Sequence, residues 1–381
     1  VSADPIPFHR PAFDQAELHG AVSSLESGWL TTGPQCAAFE SRFAEAVGAE
    51  HAVSVNSCTA ALHLALEGLG VGTGDQVVVP AMTFTATAAV VRHLGADPVL
   101  VDVEADTLGM DPDQLVDVLS ERTKAVVPVH YAGQPAEMDR ITSAAESVGA
   151  AVVEDSAHCF PGTYREHTIG SLSRATCFSF YANKTITTGE GGMLTTDDAE
   201  LAERARVMRL HGMSKDAWRR FASGPSTYDV AQPGFKYNMT DLAAAIGLAQ
   251  LDKAADLAAQ RAGHAEQYVT ALAHVPGVRT LARRPDRSHA WHLLVVAIDR
   301  ETFGMERDAV AAALNDRGIS TSIHYRPLHR HSYYRDTYQL TDEDFPVASS
   351  AGDQILSLPL FPTMTGEQVD RVVAVLAELA A

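Results

Sequence analysis

From about residue 50 to 200 the chain alternates short apolar runs with helix-patterned stretches. The runs predict strands at Ala52–Val55, Gln76–Val79, Pro98–Val101, Ala125–Val129, Ala151–Glu154, Thr176–Phe180 and Gly192–Thr195. Several are continuous and Val-rich instead of alternating. That is the pattern of a sheet covered on both faces, hence α/β layering. Residues 201–240 change character: Trp218, Gly224-Pro225 and Gln232-Pro233-Gly234 read as a long loop with some helix. Ala and Leu dominate 241–272, a long helical stretch that reads as a link to a second domain. There a strand is expected at Trp291–Ile298, then a helix at Glu306–Arg317 with Ala309, Val310, Ala313 and Leu314 on one face and Gly318 as its stop. A strand at Ile319–His324 and a closing helix from Gly366 complete the pattern. A chain of 381 residues carries a prior of roughly two domains. The division expected here is 1–245, an N-terminal segment with a large domain, and 246–381, a linking helix with a small domain.

Composition narrows the partners. Hydrophobic residues make up 46% and charged residues 20%, enough apolar material for sizeable cores. A net charge of −19 argues against a nucleic-acid surface, which needs an excess of Lys and Arg. It leaves room for an anionic small ligand, since a few local cations and helix N-termini suffice. Cys36, Cys58, Cys159 and Cys177 form no Cys-x-x-Cys, and free thiols in a reducing cytoplasm are expected. The first residues, Val1 to Phe8, have neither a basic nor an apolar region of the kind a signal peptide carries. No apolar run reaches the ~18 residues needed to span a bilayer. A soluble, cytoplasmic protein is expected.

The candidate chemistry centres on Lys184. It follows the β-rich run Cys177-Phe178-Ser179-Phe180-Tyr181-Ala182-Asn183 and precedes Thr185-Ile186-Thr187-Thr188-Gly189-Glu190-Gly191-Gly192. Asp155 ends a separate apolar run, at the kind of strand C-terminus where open α/β sheets bind ligands. A pyridoxal phosphate (PLP) enzyme needs this pair. The lysine amine condenses with the cofactor aldehyde, and the carboxylate keeps the ring nitrogen protonated. Asn56-Ser57-Cys58-Thr59 is a polar turn at a helix start, where the N–H groups of Cys58 and Thr59 suit a phosphate. Read alone it is also what an ordinary capped helix looks like, and it lacks the P-loop lysine. Phe84, just past a strand end, can stack on a flat heterocycle or belong to the core. His158 can contact a cofactor ring or be structural. Gly70-Val71-Gly72-Thr73-Gly74 precedes a strand instead of following one, so it reads as a helix stop and turn. His324, His329 and His331 suggest a metal, but Arg326 and Arg330 among them favour an anionic ligand such as a diphosphate.

Nearly the whole chain resembles the DegT/DnrJ/EryC1/StrS family of PLP-dependent sugar aminotransferases. The matching stretches are Ser27-Gly28-Trp29-Leu30-Thr31-Thr32-Gly33-Pro34, Asn56 to His63, Thr83 to Thr87, Gly133 to Asp139, Glu154 to His158, the Lys184 run, Gly234 to Asp241, and His324 to His329. The resemblance implies the fold-type I, aspartate aminotransferase-like architecture: a large domain with a mostly parallel sheet, a smaller C-terminal α/β domain, and a homodimer with shared active sites. It assigns Lys184 as Schiff-base lysine, Asp155 as partner of the pyridine nitrogen, His158 as a ring contact and Phe84 as the stacking aromatic. Cys58, Thr59 and Ser179 match phosphate-binding positions. Lys236 and Asn238 match the segment that reaches the partner's phosphate. Many relatives carry Asn and Arg at these two places, so either residue here can be the contact. Trp29, Thr31, His324, Tyr325 and Arg326 are the expected substrate contacts, and no metal is expected.

The activity implied is transfer of an amino group from an amino acid, L-glutamate, to a nucleoside-diphosphate-linked keto sugar. The Thr187-Thr188-Gly189-Glu190-Gly191-Gly192 run resembles enzymes acting at C4 of 4-keto-6-deoxy sugars; those acting at C3 more often carry a Gly-Asp-Ala-Gly-like run. A 3-keto sugar or a keto-inositol is the rival substrate. The rival activities on this scaffold are those of a PLP-dependent sugar dehydratase and of a regulatory or binding protein. The first loses the lysine or gains a cysteine set for an iron–sulfur cluster, and the second loses Lys or Asp. Lys184 and the scattered cysteines argue against the first, and the presence of both Lys184 and Asp155 against the second.

Overall fold

The expected Val-rich strands form one seven-stranded sheet in the order β1-β9-β8-β5-β4-β2-β3. They are β1 (His51–Val55), β2 (Gln76–Pro80), β3 (Asp97–Val101), β4 (Thr123–Val126), β5 (Ala151–Asp155), β8 (Ala175–Ser179) and β9 (Gly192–Thr196), with β6 (Thr163–Tyr164) and β7 (His167–Thr168) in a small separate sheet. Strands β3, β2, β4, β5 and β8 run parallel, and β9 is antiparallel to both β8 and β1. This computed structural model describes residues 4–213 and 229–380. Trp218 and Gly224-Pro225 lie outside the described residues.

The continuous apolar runs have a simple cause. Successive side chains on a strand point to opposite faces. Val77 and Val79 enter one core cluster and Val78 the other; Val153 and Val152 divide the same way, as do Cys177 and Phe178. Helices cover both faces. On one side lies Cys58–Gly68, buried at every position from Ala60 to Leu66. On the other lie Pro34–Val47, through Phe39 and Phe43, and Met138–Ser147, through Ile141 and Ala145.

A second sheet, antiparallel, has the order β10-β12-β13, from β10 (Val278–Thr280), β12 (Leu294–Ile298) and β13 (Ile355–Leu358); β11 (Arg287–Ser288) joins β6 and β7. Helices Ala254–Leu272, Arg307–Asp316 and Gly366–Leu379 pack around it in a third core cluster that also takes in Ile6.

Three expectations change. The stretch 241–272 is two helices, Asp241–Asp252 and Ala254–Leu272, broken at Lys253, whose amine reaches Asp14 at 2.9 Å and Glu17 at 2.6 Å. The expected strand Ile319–His324 pairs only at single points, Ile319 with Ile6 and Ser322 with Ser357. No ladder forms between these two bridges. Strand β12 begins at Leu294 and not at Trp291, because Trp291 has φ 49°, outside the extended region. Helix Ala199–Met208 supplies some of the helix expected within the 201–240 stretch.

Candidate active site

Lys184 and Asp155 meet at one sheet edge. Parallel β5 and β8 are neighbours in the register Asp155–Cys177, so the chain leaving each passes the same edge. After β8 it turns, with Lys184 N–H donating to Tyr181 C=O at 2.9 Å, and returns as β9. Both residues line a cavity of about 440 Å³ together with Cys58, Thr59, Phe84, His158, Ser179, Glu190, His292, His324 and Tyr325.

Asp155 is buried, 5% exposed. Among the described residues its donors are neutral: the Thr87 hydroxyl at 2.8 Å, the Ala157 N–H at 3.1 Å and the Cys58 thiol at 4.0 Å. Burial pushes its carboxyl above the ordinary range, and the hydrogen bonds from Thr87 and Ala157 pull against that. Such a carboxylate is stabilised by a cation, which a protonated pyridine nitrogen supplies.

Lys184 is shifted the other way. Burial lowers its amine to about 8, against the pull of Cys58 and Asp155. An amine near 8 is partly free base at neutral pH, as condensation with an aldehyde requires.

The phosphate end is built by close backbone approach. Helix Cys58–Gly68 starts with Ser57 as its cap, the hydroxyl accepting from Ala60 N–H at 3.1 Å. Cys58 and Thr59 N–H groups belong to the first turn, which has no intrahelical acceptors. A Cβ on Gly192 would fall 2.4 Å from the Ser57 carbonyl carbon and 2.6 Å from Cys58 N, so only glycine lets β9 start against this turn. Ser179 stands at the adjoining end of β8.

The remaining wall is aromatic and imidazole. Phe84 is 55% exposed, and its ring centre lies 5.7 Å from that of Tyr325. His158 Nε2 and the Tyr325 hydroxyl are 2.8 Å apart; His158 Nδ1 is a buried polar atom without a protein partner among the described residues. Burial drives His158 and His292 well below the ordinary histidine value and His324 to about 4. These rings are neutral near pH 7. The buried carboxylate, the lowered lysine, the exposed aromatic and the glycine-lined turn fit PLP.

Five expected site residues do not line this cavity, and two of them, Lys236 and Asn238, are expected to serve a partner's site instead. Trp29 and Thr31 are exposed and are not among the residues that line the cavity. Asn238 lies beside them, its amide donating to the Thr32 hydroxyl at 2.8 Å. Lys236 is exposed on the same segment. Arg326 is exposed and donates to Arg330 C=O at 2.9 Å. The expected anion-binding mixture around His329 and Arg330 is internally neutralised. Arg330 forms two-pronged pairs with Asp342 and Asp353, and His329 sits within 2.8 Å of Ser349 and 3.2 Å of Asp342.

Three residues that line the cavity or act on its lining escape a reading of the sequence: Thr87, which donates to Asp155, Arg261, whose charge lowers the Lys184 amine, and His292. Thr87 closes the Thr83 to Thr87 stretch with nothing local to mark it as a partner of Asp155. His292 has one usable signal, a polar residue just before a buried strand run. Arg261 has none, lying in an Ala-rich helix.

Fold and site together define a fold-type I PLP-dependent transferase. The profile of the DegT/DnrJ/EryC1/StrS aminotransferase family matches residues 11–377. The chain is 46% identical over 376 residues to the spore coat polysaccharide biosynthesis protein SpsC of Bacillus subtilis (strain 168), covering 98% of this chain and 97% of SpsC. The putative sugar aminotransferase Spr1654 of Streptococcus pneumoniae, solved in PMP and PLP forms, superposes with a TM-score of 0.92 at 33% identity, over 99% of this chain and 98% of that one. PseC of Helicobacter pylori, an aminotransferase involved in the biosynthesis of pseudoaminic acid, gives 0.91 at 26% identity over 99% of each chain. The chain belongs to the DegT/DnrJ/EryC1/StrS aminotransferase family and is a PLP-dependent sugar aminotransferase.

Proposed function

We propose that the chain moves an amino group from L-glutamate to a nucleoside-diphosphate-linked keto sugar, a 4-keto-6-deoxyhexose. The observation that carries the reading is one cavity shared by Lys184, Asp155 and Glu190, the last from the run that resembles enzymes acting at C4. The names of SpsC, Spr1654 and PseC, which speak of polysaccharide biosynthesis, sugar amination and pseudoaminic acid, support a sugar acceptor.

When bound, PLP supplies the aldehyde that carries the amino group and a ring that takes up electron density. Asp155 keeps the ring nitrogen protonated. Lys184 Nζ takes a proton from the amino-acid Cα in the first half-reaction and delivers one to sugar C4 in the second. Phe84 stacks on the ring and His158 contacts it. Cys58, Thr59 and Ser179 hold the phosphate, joined by Lys236 or Asn238 of a second copy. Trp29, Thr31, His324, Tyr325 and Arg326 serve the substrate. We propose a homodimer with shared active sites. The exposed apolar stripe Leu18, Val22 and Leu25 on helix Gln15–Ser27, followed by exposed Trp29 and Leu30, supports it. The division of the chain at 245/246 belongs to the same reading. Four free buried cysteines suit a reducing cytoplasm. Among the described residues, no helix is long and apolar enough to cross a membrane.

The test is a panel of nucleoside-diphosphate 4-keto and 3-keto sugars with glutamate, the aminated carbon located by NMR. Amination at C4 is expected. Turnover confined to 3-keto sugars or keto-inositols overturns the position, and no amination of any sugar nucleotide overturns the nucleotide linkage.

A further inference from the structure

Lys184 Nζ lies 3.2 Å from His292 Nε2, within hydrogen-bond distance. We propose that His292 is a positioning residue for Lys184: its Nε2–H donates to the amine lone pair and holds the lysine as a free base facing the cavity. The inference rests on reading Lys184 as the lysine that carries the cofactor.

The direction of the bond follows from the other ring nitrogen. His292 is 4% exposed, and its Nδ1 is buried without a protein partner among the described residues. A neutral imidazole has one proton. Placed on Nδ1, it would be a buried donor with no acceptor. Placed on Nε2, it has the amine, and only a lone pair goes unused. An orphaned buried N–H is the costlier of the two.

The ring is held firmly. Trp291 takes φ 49° immediately before it, a sparsely populated conformation for a bulky residue. On one side the backbone is fastened to the turn 132–133, with Leu293 N–H donating to Ala132 C=O at 3.1 Å and Ala290 N–H to Gly133 C=O at 2.8 Å. Gly133, at φ 109°, would bring a Cβ to 3.0 Å from both Trp291 N and His292 N, so the approach needs glycine. On the other side stands Arg261, fully buried, its Nη1 donating to the carbonyls of Leu360 at 3.0 Å and of Trp291 and His292 at 3.4 Å.

Charges around the amine agree. The cationic or basic groups coupled to Lys184 or His292 are Arg261, His9, His158 and His324; the acidic ones are Asp155 and the Cys58 thiol. Burial leaves the three histidines neutral near pH 7, so Arg261 is the standing positive charge. It disfavours an ammonium at Lys184.

Competitive acetylation of the cofactor-free protein over a pH series, read by peptide mass spectrometry, gives the labelling midpoint of Lys184 with exposed Lys124 as internal reference. The midpoint is independent of how readily the reagent enters. His292→Phe should raise it by about one unit, so that the free-base fraction at pH 7 falls about tenfold. His292→Gln keeps a side-chain N–H and should stay within about threefold of wild type. A midpoint that is unchanged or lowered in the folded Phe variant overturns the proposal, since lowering is the result for a His292 that accepts from an ammonium. A second measurement needs no folded Phe variant. Long-range 1H–15N correlation of the wild-type imidazoles, with the His292 signal assigned by its loss in the Gln variant, should show the Nε2–H tautomer; the Nδ1–H pattern overturns the proposal. The underlying reading fails separately, if Lys184→Ala protein still forms a borohydride-trappable link to PLP.

Discussion

The Thr87 hydroxyl donates a 2.8 Å hydrogen bond to Asp155 Oδ2, from inside helix Ala86–His93 to the end of β5. Both groups are buried, and the bond favours the charged carboxylate against the burial that disfavours it. Asp155→Asn should therefore impair catalysis far more than folding. The amide still hydrogen-bonds but no longer favours a protonated ring nitrogen, at about 1.4 kcal/mol per pKa unit lost by the ring. Thr87→Val should lower kcat/KM in the same direction by about tenfold, since a charge-assisted hydrogen bond is worth roughly 1.5–3 kcal/mol. Unchanged kcat in the Asn variant with an intact cofactor complex refutes the role of Asp155.

Lys184→Ala should abolish turnover, because it removes both the amine that binds the cofactor and the group that moves the protons. The purified variant should show no cofactor link that borohydride can trap. Transamination at the wild-type rate would refute the assignment.

Much of the fold and site is legible from the residues alone, and for a physical reason. Val77, Val78 and Val79 announce a doubly covered strand because burial on two faces removes the polar alternation. Asp155 ends β5 and Lys184 stands in the turn after β8, and in both places a charged residue after an apolar run is conspicuous. The Trp291 backbone is different. Its positive φ arises from a turn packed against residues 132–133, more than 150 positions away, and nothing local encodes it. The same holds for His292 and Arg261, whose meaning depends on which carbonyls and amines tertiary packing brings to them. Arg330 misleads for the converse reason: its carboxylate partners, Asp342 and Asp353, are 12 and 23 residues downstream.

Lys236 and Asn238 lie outside the cavity of their own chain, on a segment whose Tyr237 C=O accepts from Asn56 N–H at 2.7 Å. In the proposed dimer they complete the neighbour's phosphate site. Protein carrying Lys236→Ala and Asn238→Ala, inactive alone, should regain activity when mixed with inactive Lys184→Ala protein. Some heterodimers then hold one wholly wild-type site. Verified subunit exchange with no recovered activity would refute sharing and return the segment to its own subunit.

Asp241 is 1% exposed and accepts from the N–H groups of Gly33, Gln35 and Cys36 at 2.7, 3.1 and 3.0 Å. It caps helix Pro34–Val47 from another helix, in place of a local side-chain cap. Asp241→Ala should destabilise the protein by roughly 2–4 kcal/mol, by stranding these donors. Urea denaturation reads the loss, and a change below about 0.5 kcal/mol would show the cap to be dispensable.

His63, beside Tyr237 and away from the cavity, is 5% exposed and lowered by burial to about 4. Buried His158 and His292 are lowered further. The unfolded chain binds protons at these positions near pH 6.5, before the folded one does. Their contribution to stability is therefore fully present above that pH and is lost as pH falls toward the folded values. Each adds a slope of about 1.4 kcal/mol per pH unit within its window. Melting temperatures of the cofactor-free protein should fall steadily from pH 6.5 to 4, and His63→Phe, if folded, should flatten the descent.

Asp155 and Lys184 descend from adjacent strands of one sheet, whereas His292, His324 and Tyr325 come from the chain after residue 290. The cavity thus has a floor and a wall of separate mechanical address. A load on the wall reaches Lys184 through His292 and His158 through its contact with Tyr325, while the carboxylate and lysine stay anchored to the floor. Exchanging wall segments would therefore change the guest and the state of the lysine together, while the carboxylate of the floor stays in place.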